Sequence, residues 1–531
     1  MTTSPDSAKA PDTKLDKRVL TVAGVVVLGS IMSILDITVV SVAQDTFQTE
    51  LKTDQAGAAW SMTAYTLALA TVIPLASWAA TRFGTKKVYL TSIVLFLIGS
   101  VLCALAWNIG SLIAFRAVQG LGGGLLMPVG MMILTKAAGP ARIGSVMAVL
   151  GIPMLLGPIF GPILGGWLIG FASWHWIFLI NVPVGIIALV YAWLVLKDDA
   201  TGEKPKIDFI GLLLLSPGLA LFLYGVSSAG ESQISHGTFL TTKVLAPALI
   251  GLAMMGAFVW HALHTDKPLL DLRLFRNRTL TVAVLTMVIF LIAFFGSALL
   301  YPQYFIGVRG ESTLMAGLLL APQGIGAILT MPVAGRLTDK MGPGKFVLTG
   351  LVLISLGVTA WTQFDHTTSY WIIGGALLIQ GMGMGMTMMP IMSSALATLR
   401  NTEVPDGSTL MNVVQQSSTS IGTAIISVLL FTSLSKTTEG QLAIQFHRDQ
   451  NTKNPDDRLF PLLVQKFGFP PGTQPDDSWF AAAANAFHTP YIVAAVLVVC
   501  TLIPAFFLPR KKIDSPLVEE DMDQAPHISL H

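Results

Sequence analysis

Cysteine is nearly absent from this chain: two among 531 residues. Both, Cys103 and Cys500, fall inside apolar runs, so neither a disulfide framework nor a thiolate metal cluster can be assembled from them. Charge is also scarce, at 12% of residues against about 25% in soluble domains. No G-x-x-x-x-G-K-[ST] run occurs, which excludes nucleotide hydrolysis through a P-loop. The glycines at 120–124 and 381–385 neither follow a strand nor complete G-x-G-x-x-G. No nucleophile–base pattern is visible, so an enzyme is not expected, and neither is a cofactor. His261 and His264 stand i, i+3 apart at a predicted membrane edge and are read as a solvated pair, with no metal expected.

What fills the chain is hydrophobic sequence, 53% of it. A membrane span needs about twenty apolar residues. Runs of that kind recur at 19–43, 56–80, 88–107, 111–135, 144–170, 176–196, 209–229, 243–264, 279–306, 313–337, 346–364, 370–395, 409–434 and 488–509, about fourteen in all. The first run follows Lys14, Asp16, Lys17 and Arg18 and is too long for a signal-peptide core, so it is expected to persist as a helix. Lys and Arg crowd alternate loops, among them Arg82, Lys86, Lys136, Arg142, Lys197, Arg276 and Arg400, while the short loops between them hold only Lys52, Lys243 and Arg309. The positive-inside rule then predicts a multi-pass protein of the plasma (inner) membrane with both termini cytoplasmic. A proline-rich polar stretch, 435–484, is expected outside, its segment 460–464 packing on the membrane or over the outer vestibule.

Glycines 157, 161 and 165 lie four apart and share one helix face, interleaved with Pro158 and Pro162 and closed by Gly166. A bare face lets another helix approach closely, and the prolines bend the helix that carries it. This face is expected to pack on the C-terminal half of the molecule and to seal a leak path.

The chain also repeats itself. Gln119-Gly120-Leu121-Gly122-Gly123-Gly124 returns as Gln380-Gly381-Met382-Gly383-Met384-Gly385, and the loop around Arg82 and Gly84 returns around Lys340 and Gly342, both about 260 residues later. A six-span unit is therefore duplicated with a pair of spans between the copies. Parallel six-span repeats are a transporter architecture.

On these residues the chain resembles the major facilitator superfamily, and within it the 14-helix drug:proton antiporters of the EmrB/QacA branch. Gly335-Arg336-Leu337-Thr338-Asp339-Lys340-Met341-Gly342 matches the family loop motif. The first copy departs from it, with Ser77 for the glycine and Thr81 for the acid, so the latch of the N-terminal half is expected to be weak. Arg116-Ala117-Val118-Gln119-Gly120, Leu35-Asp36-Ile37-Thr38, the 157–166 run, Trp174 to Pro183 and the 268–276 connector match as well. The resemblance implies an all-α membrane protein of major facilitator fold: two six-helix bundles plus two extra transmembrane helices. The expected divisions are a tail at 1–18, an N-terminal bundle at 19–196, a linker with two helices at 197–278, a C-terminal bundle at 279–509 and a tail at 510–531. It further implies proton-coupled efflux of lipophilic or cationic small molecules by alternating access. Alternatives are an importer or facilitator of a small solute, an exporter dedicated to an endogenous lipid or metabolite, and a non-transporting scaffold.

The expected partners are a small-molecule substrate, protons and membrane lipids, with no nucleic acid. The expected cavity residues are Trp60, Tyr65, Gln119, Gln303, Tyr304, Met382, Met386, Met389, Asn412 and Gln416; flexible methionine thioethers suit ligands of varied shape. Arg82, Gly84, Gly335, Arg336, Asp339, Lys340 and Gly342 are the expected loop latch. Asp36 is the only acid and Arg116 the only base placed well inside the spans of the N-terminal half. Either alone at the bilayer centre costs about 2.5–3.5 kcal/mol on insertion scales, and they sit at similar depth, so they are expected to act together in proton coupling.

Overall fold

The computed structural model describes residues 16–139, 142–199, 205–451, 459–470 and 472–511. Thirteen described helices are long and apolar enough to cross a membrane. In chain order, and with one further helix of 29 residues, α5, the long helices are these. The first half holds α1 (Lys17–Val42), α2 (Gly57–Phe83), α3 (Thr85–Ala104), α4 (Ile109–Ala138), α5 (Ile143–Phe171) and α6 (Trp176–Val195). A hairpin follows, α7 (Phe209–Gln233) and α8 (Thr242–His264). The second half holds α9 (Arg278–Val308), α10 (Leu314–Met341), α11 (Pro343–Trp361), α12 (Tyr370–Leu396), α13 (Val404–Leu434) and α14 (Asp477–Ala505).

Local chemistry sets several starts. Asp16, Asp54, Asp208, Asn277 and Asp476 each accept a backbone N–H of the helix they precede, and Asn108 with Ser111 forms a capping box. The internal repeat has a direct structural counterpart. Gly84 joins α2 to α3 at φ 86°, ψ 149°, and Gly342 joins α10 to α11 at φ 87°, ψ 153°, a conformation that favours glycine. The two glycine runs also pack alike. Gly120 and Gly124 lie on the backbone of α2 and Gly122 on that of α3, while Gly381 and Gly385 lie on α10 and Gly383 on α11. Each run is small because helices approach it from two sides.

The two halves meet along α5, which packs on α10 from the end rich in Lys and Arg, here the basic end, to residues 313–319 where α10 begins. Gly144 of α5 lies against the backbone of Gly335 of α10. Met389 of α12 is buried where it meets Gly151 of α5. The 157–165 face departs from expectation. Gly157 lies against Ile34, Gly161 against Thr38 and Gly165 against Val39, so it packs on α1 of its own half rather than on the C-terminal half. A close-approach face takes the nearest helix of matching relief, and its spacing does not name that helix. Gly166 has open space beside it, and the side chains of Pro158 and Pro162 lie outside the described residues.

The α7–α8 hairpin spans the seam between halves. Leu219 and Leu223 of α7 cluster with Ala70 and Ile73 of α2 and Val413 of α13. Near the opposite end Ala229 packs with Ala424, and Gly230 meets Ser427. At the basic end the linker is held by the first half, where Trp78 and Arg82 both donate to the Pro205 carbonyl (3.2 and 3.1 Å). His261 at the end of α8 is not a free solvated group: its Nε2 lies 2.9 Å from Asp208. His264 turns instead to the Trp260 carbonyl, 2.7 Å away.

Residues 435–451, 459–470 and 472–476 form a cap over the end opposite the basic one. Helix Thr438–Asn451 packs on α9 and on α14, and Phe460 and Val464 of helix Phe460–Lys466 are buried with it. Helix α14 starts at Asp477 rather than near 488, because Trp479, Ala483 and Ala484 pack against this cap and sustain the helix beyond the apolar run.

Candidate functional site

Two helices each place a pair of polar groups on one face. Ser33 and Asp36 stand three apart on α1, and Arg116 and Gln119 three apart on α4. These faces meet inside the first half. Arg116 Nη1 forms an ion pair with Asp36 Oδ2, with both side chains almost wholly buried, at 1% and 0% exposure. Gln119 Nε2 donates to Asp36 Oδ1 at 2.7 Å and to Ser100 Oγ of α3 at 2.8 Å. Asn181 Nδ2 of α6 donates to the same Asp36 oxygen at 3.3 Å.

The guanidinium is held equally well. Its Nη1 also donates to Gln119 Oε1 (2.7 Å) and its Nε to the Ser61 carbonyl of α2 (3.1 Å). The Tyr65 ring lies over it, 4.2 Å from the ring centroid, and the Tyr65 hydroxyl sits 3.0 Å from Ser33 Oγ. Five helices thus converge on one charge pair. A buried pair of this kind is tolerated only when its remaining donors and acceptors are satisfied. The arrangement can therefore hold a carboxylate in the membrane interior and release it when the helices move.

The residues of the expected latch form a second assembly, at the basic end. Asp339 of α10 accepts from the backbone N–H groups of Gly144 (2.8 Å) and Ser145 (3.0 Å) and from the Ser145 hydroxyl (2.7 Å), at the start of α5. A carboxylate there is favoured by the helix dipole and by unsatisfied N–H groups. In the first half, where Thr81 replaces the acid, a carboxylate comes from the facing helix instead. Ser77 Oγ donates to Asp406 in the first turn of α13. Arg82 holds Pro205, as above, and Gly84 and Gly342 make the two turns. Arg336 and Lys340 are exposed.

The expected cavity residues are dispersed. Tyr65 and Gln119 belong to the buried network. Trp60 stacks on Tyr224 of α7, ring centroids 5.6 Å apart, and so faces the linker hairpin. Gln303 and Tyr304 lie under the cap: Gln303 accepts from Arg448 at 3.0 Å, and the buried Tyr304 donates to the Asp365 carbonyl and packs on Trp361. Apolar sequence flanking an aromatic does not reveal which end of a helix a loop will cover. Met382 and Met386 are partly exposed, and Met389 is buried against α5. Asn412 is buried and donates to the Ser408 carbonyl of its own helix (2.8 Å), and Gln416 is partly exposed. Ser61, Ser100 and Asn181 were missed by sequence reasoning; each is a polar residue within an apolar helix, which is the available signal.

The sequence profile of the Major Facilitator Superfamily matches residues 26–423. The chain belongs to that superfamily. It is 46% identical over 516 residues to the Multidrug resistance protein B homolog of Mycobacterium tuberculosis (strain ATCC 25618 / H37Rv), covering 94% of this chain and 92% of that relative. It is 32% identical over 409 residues to the Probable transport protein HsrA of Haemophilus influenzae, covering 77% and 87%. Among solved structures, the proton:xylose symporter XylE superposes with a TM-score of 0.56 at 15% identity (95% and 98% covered). The human organic anion transporter MFSD10 gives 0.57 at 15% identity (92% and 100% covered). As a member of this superfamily the chain is a multi-pass membrane transporter, not an enzyme.

Proposed function

We propose that this transporter exports lipophilic or cationic drug-like compounds in exchange for protons, by alternating access, from a cell whose cytoplasm faces the basic end and both termini. The observation that carries the reading is the Asp36–Arg116 pair, buried inside α1 and α4 and held by a network that includes acceptors on α2 and α3 and a donor on α6. A buried charge pair is an expensive way to join helices, and intramembrane ionisable groups are by default functional. The 46% identity to a relative named for multidrug resistance supports drugs as the substrate class.

In this reading Asp36 takes a proton from the outer side and surrenders it inward, and substrate binds to the deprotonated state. Arg116 stays charged throughout and cannot itself carry the proton. Closure of the basic end by Asp339 and Asp406 commits the carrier to the outer side. One proton moving through about 100 mV supplies about 2.3 kcal/mol, a roughly fifty-fold gradient of a neutral substrate. The test is uptake of a cationic dye by everted vesicles holding the chain, driven by an acid interior. Uptake that collapses with the proton gradient is expected. Gradient-independent equilibration would instead identify a facilitator.

A further inference from the structure

A cavity of about 160 Å³ opens at the basic end, away from the Asp36 network. It lies between the first turn of α1, the start of α3, the last turn of α4 and the residues that follow α6. Its deep wall includes Val22, Ile133 and Leu196, and its rim carries Arg18, Lys136, Lys197 and Asp199. The rim is therefore unbalanced, with three cations against one carboxylate.

Asp199 is already committed. It accepts from Thr85 through N (2.7 Å) and Oγ1 (2.8 Å) and pairs with Lys136 Nζ at 3.0 Å. Arg18 and Lys197 are exposed and have no ion-pair partner among the described residues. Beside them Trp193 and Leu194 of α6 are 63% and 67% exposed. A bare tryptophan at a helix end marks the membrane–water boundary. Two unpaired cations at that boundary, above an apolar wall between helices, fit an anion that carries hydrocarbon.

We infer that this cavity binds the phosphate headgroup of an anionic phospholipid of the adjoining leaflet, with Arg18 and Lys197 on the phosphate and the glycerol and upper chain against Val22, Ile133 and Leu196. A free phosphate would satisfy the cations and leave the apolar wall unused, so the lipid is the favoured source. The leaflet follows from the orientation proposed above. Lipid retention is read without transport, so the two proposals fail separately.

The experiment is native mass spectrometry of the full chain released from phosphatidylcholine nanodiscs doped with phosphatidylglycerol. Phosphatidylglycerol should be retained over phosphatidylcholine, and millimolar glycerol 3-phosphate should not displace it. Each surface cation is worth a factor of about five in anionic-lipid binding, so the Arg18→Gln/Lys197→Gln double variant should lose about twenty-five-fold. That variant should melt like the parent, because neither side chain has a partner to lose. Arg18→Lys should retain binding. Equal retention by parent and double variant, no preference over phosphatidylcholine, or full displacement by glycerol 3-phosphate would each overturn the assignment.

Discussion

Asp339 and Ser145 stand on different halves of the chain, and the carboxylate of one accepts both the backbone N–H and the hydroxyl of the other. The bond locks α10 to the start of α5 at the basic end. Asp339→Asn keeps the shape but removes the charge that the helix dipole favours, worth about 1 kcal/mol. The closed end should therefore open about five-fold more often. Maleimide labelling of a cysteine placed at the buried Ala148, beside Gly335, reads this directly. An unchanged labelling rate would show that Asp339 is not a latch.

Asp36→Asn leaves the Arg116 guanidinium buried without its counter-charge. Breaking a buried pair in this way costs about 3–5 kcal/mol, so the variant should melt well below the parent. Arg116→Gln added to it removes the orphaned charge and should restore much of the melting temperature. Proton-driven uptake should be absent from both. Uptake returning together with stability in the double variant would reduce the pair to a structural tie.

Gly161 touches Thr38, two residues beyond Asp36 on α1. Any side chain at 161 must push α1 away, and with it the carboxylate. Gly161→Ala should slow transport, and Gly161→Leu should abolish it with membrane insertion intact. Gly166 faces open space, so Gly166→Ala should change neither. Parallel flux assays on the three variants separate a packing effect on α1 from a general intolerance of this helix to larger residues.

His447 ties the cap to α9. Its Nδ1 lies 3.0 Å from the Gly307 carbonyl and its ring stacks on Phe480. Burial pushes this imidazole below its ordinary value of 6.5, against the opposing pull of the Gly307 carbonyl. The unfolded cap therefore binds more protons than the docked one just below that value, and docking must weaken as pH falls through it. Hydrogen exchange across residues 438–451 should be faster at pH 5.5 than at pH 7.5, and His447→Gln should flatten the difference. Equal protection at both pH values in the parent would contradict this.

Much of this molecule was legible in its sequence. Span existence follows from local hydrophobicity, because a helix in a bilayer satisfies its own backbone and needs no partner to form. The duplication was legible because the same glycine pattern serves the same two close approaches in each half. The Asp36–Arg116 pairing was legible because two costly groups at equal depth have few other places to go.

Tertiary structure decided the rest. The glycine face at 157–165 specified a close neighbour, and only the fold made that neighbour α1. The loop at Ser77 and Thr81 lacks an acid of its own, and only the fold brings Asp406, 329 residues from Ser77, opposite it. Gln303 and Tyr304 read as cavity residues until the cap closed over them. In each case the sequence fixes what a surface requires, such as a bare face, a counter-charge or a covering. Which distant segment meets that requirement depends on how the helices assemble, and nothing in the local pattern encodes it.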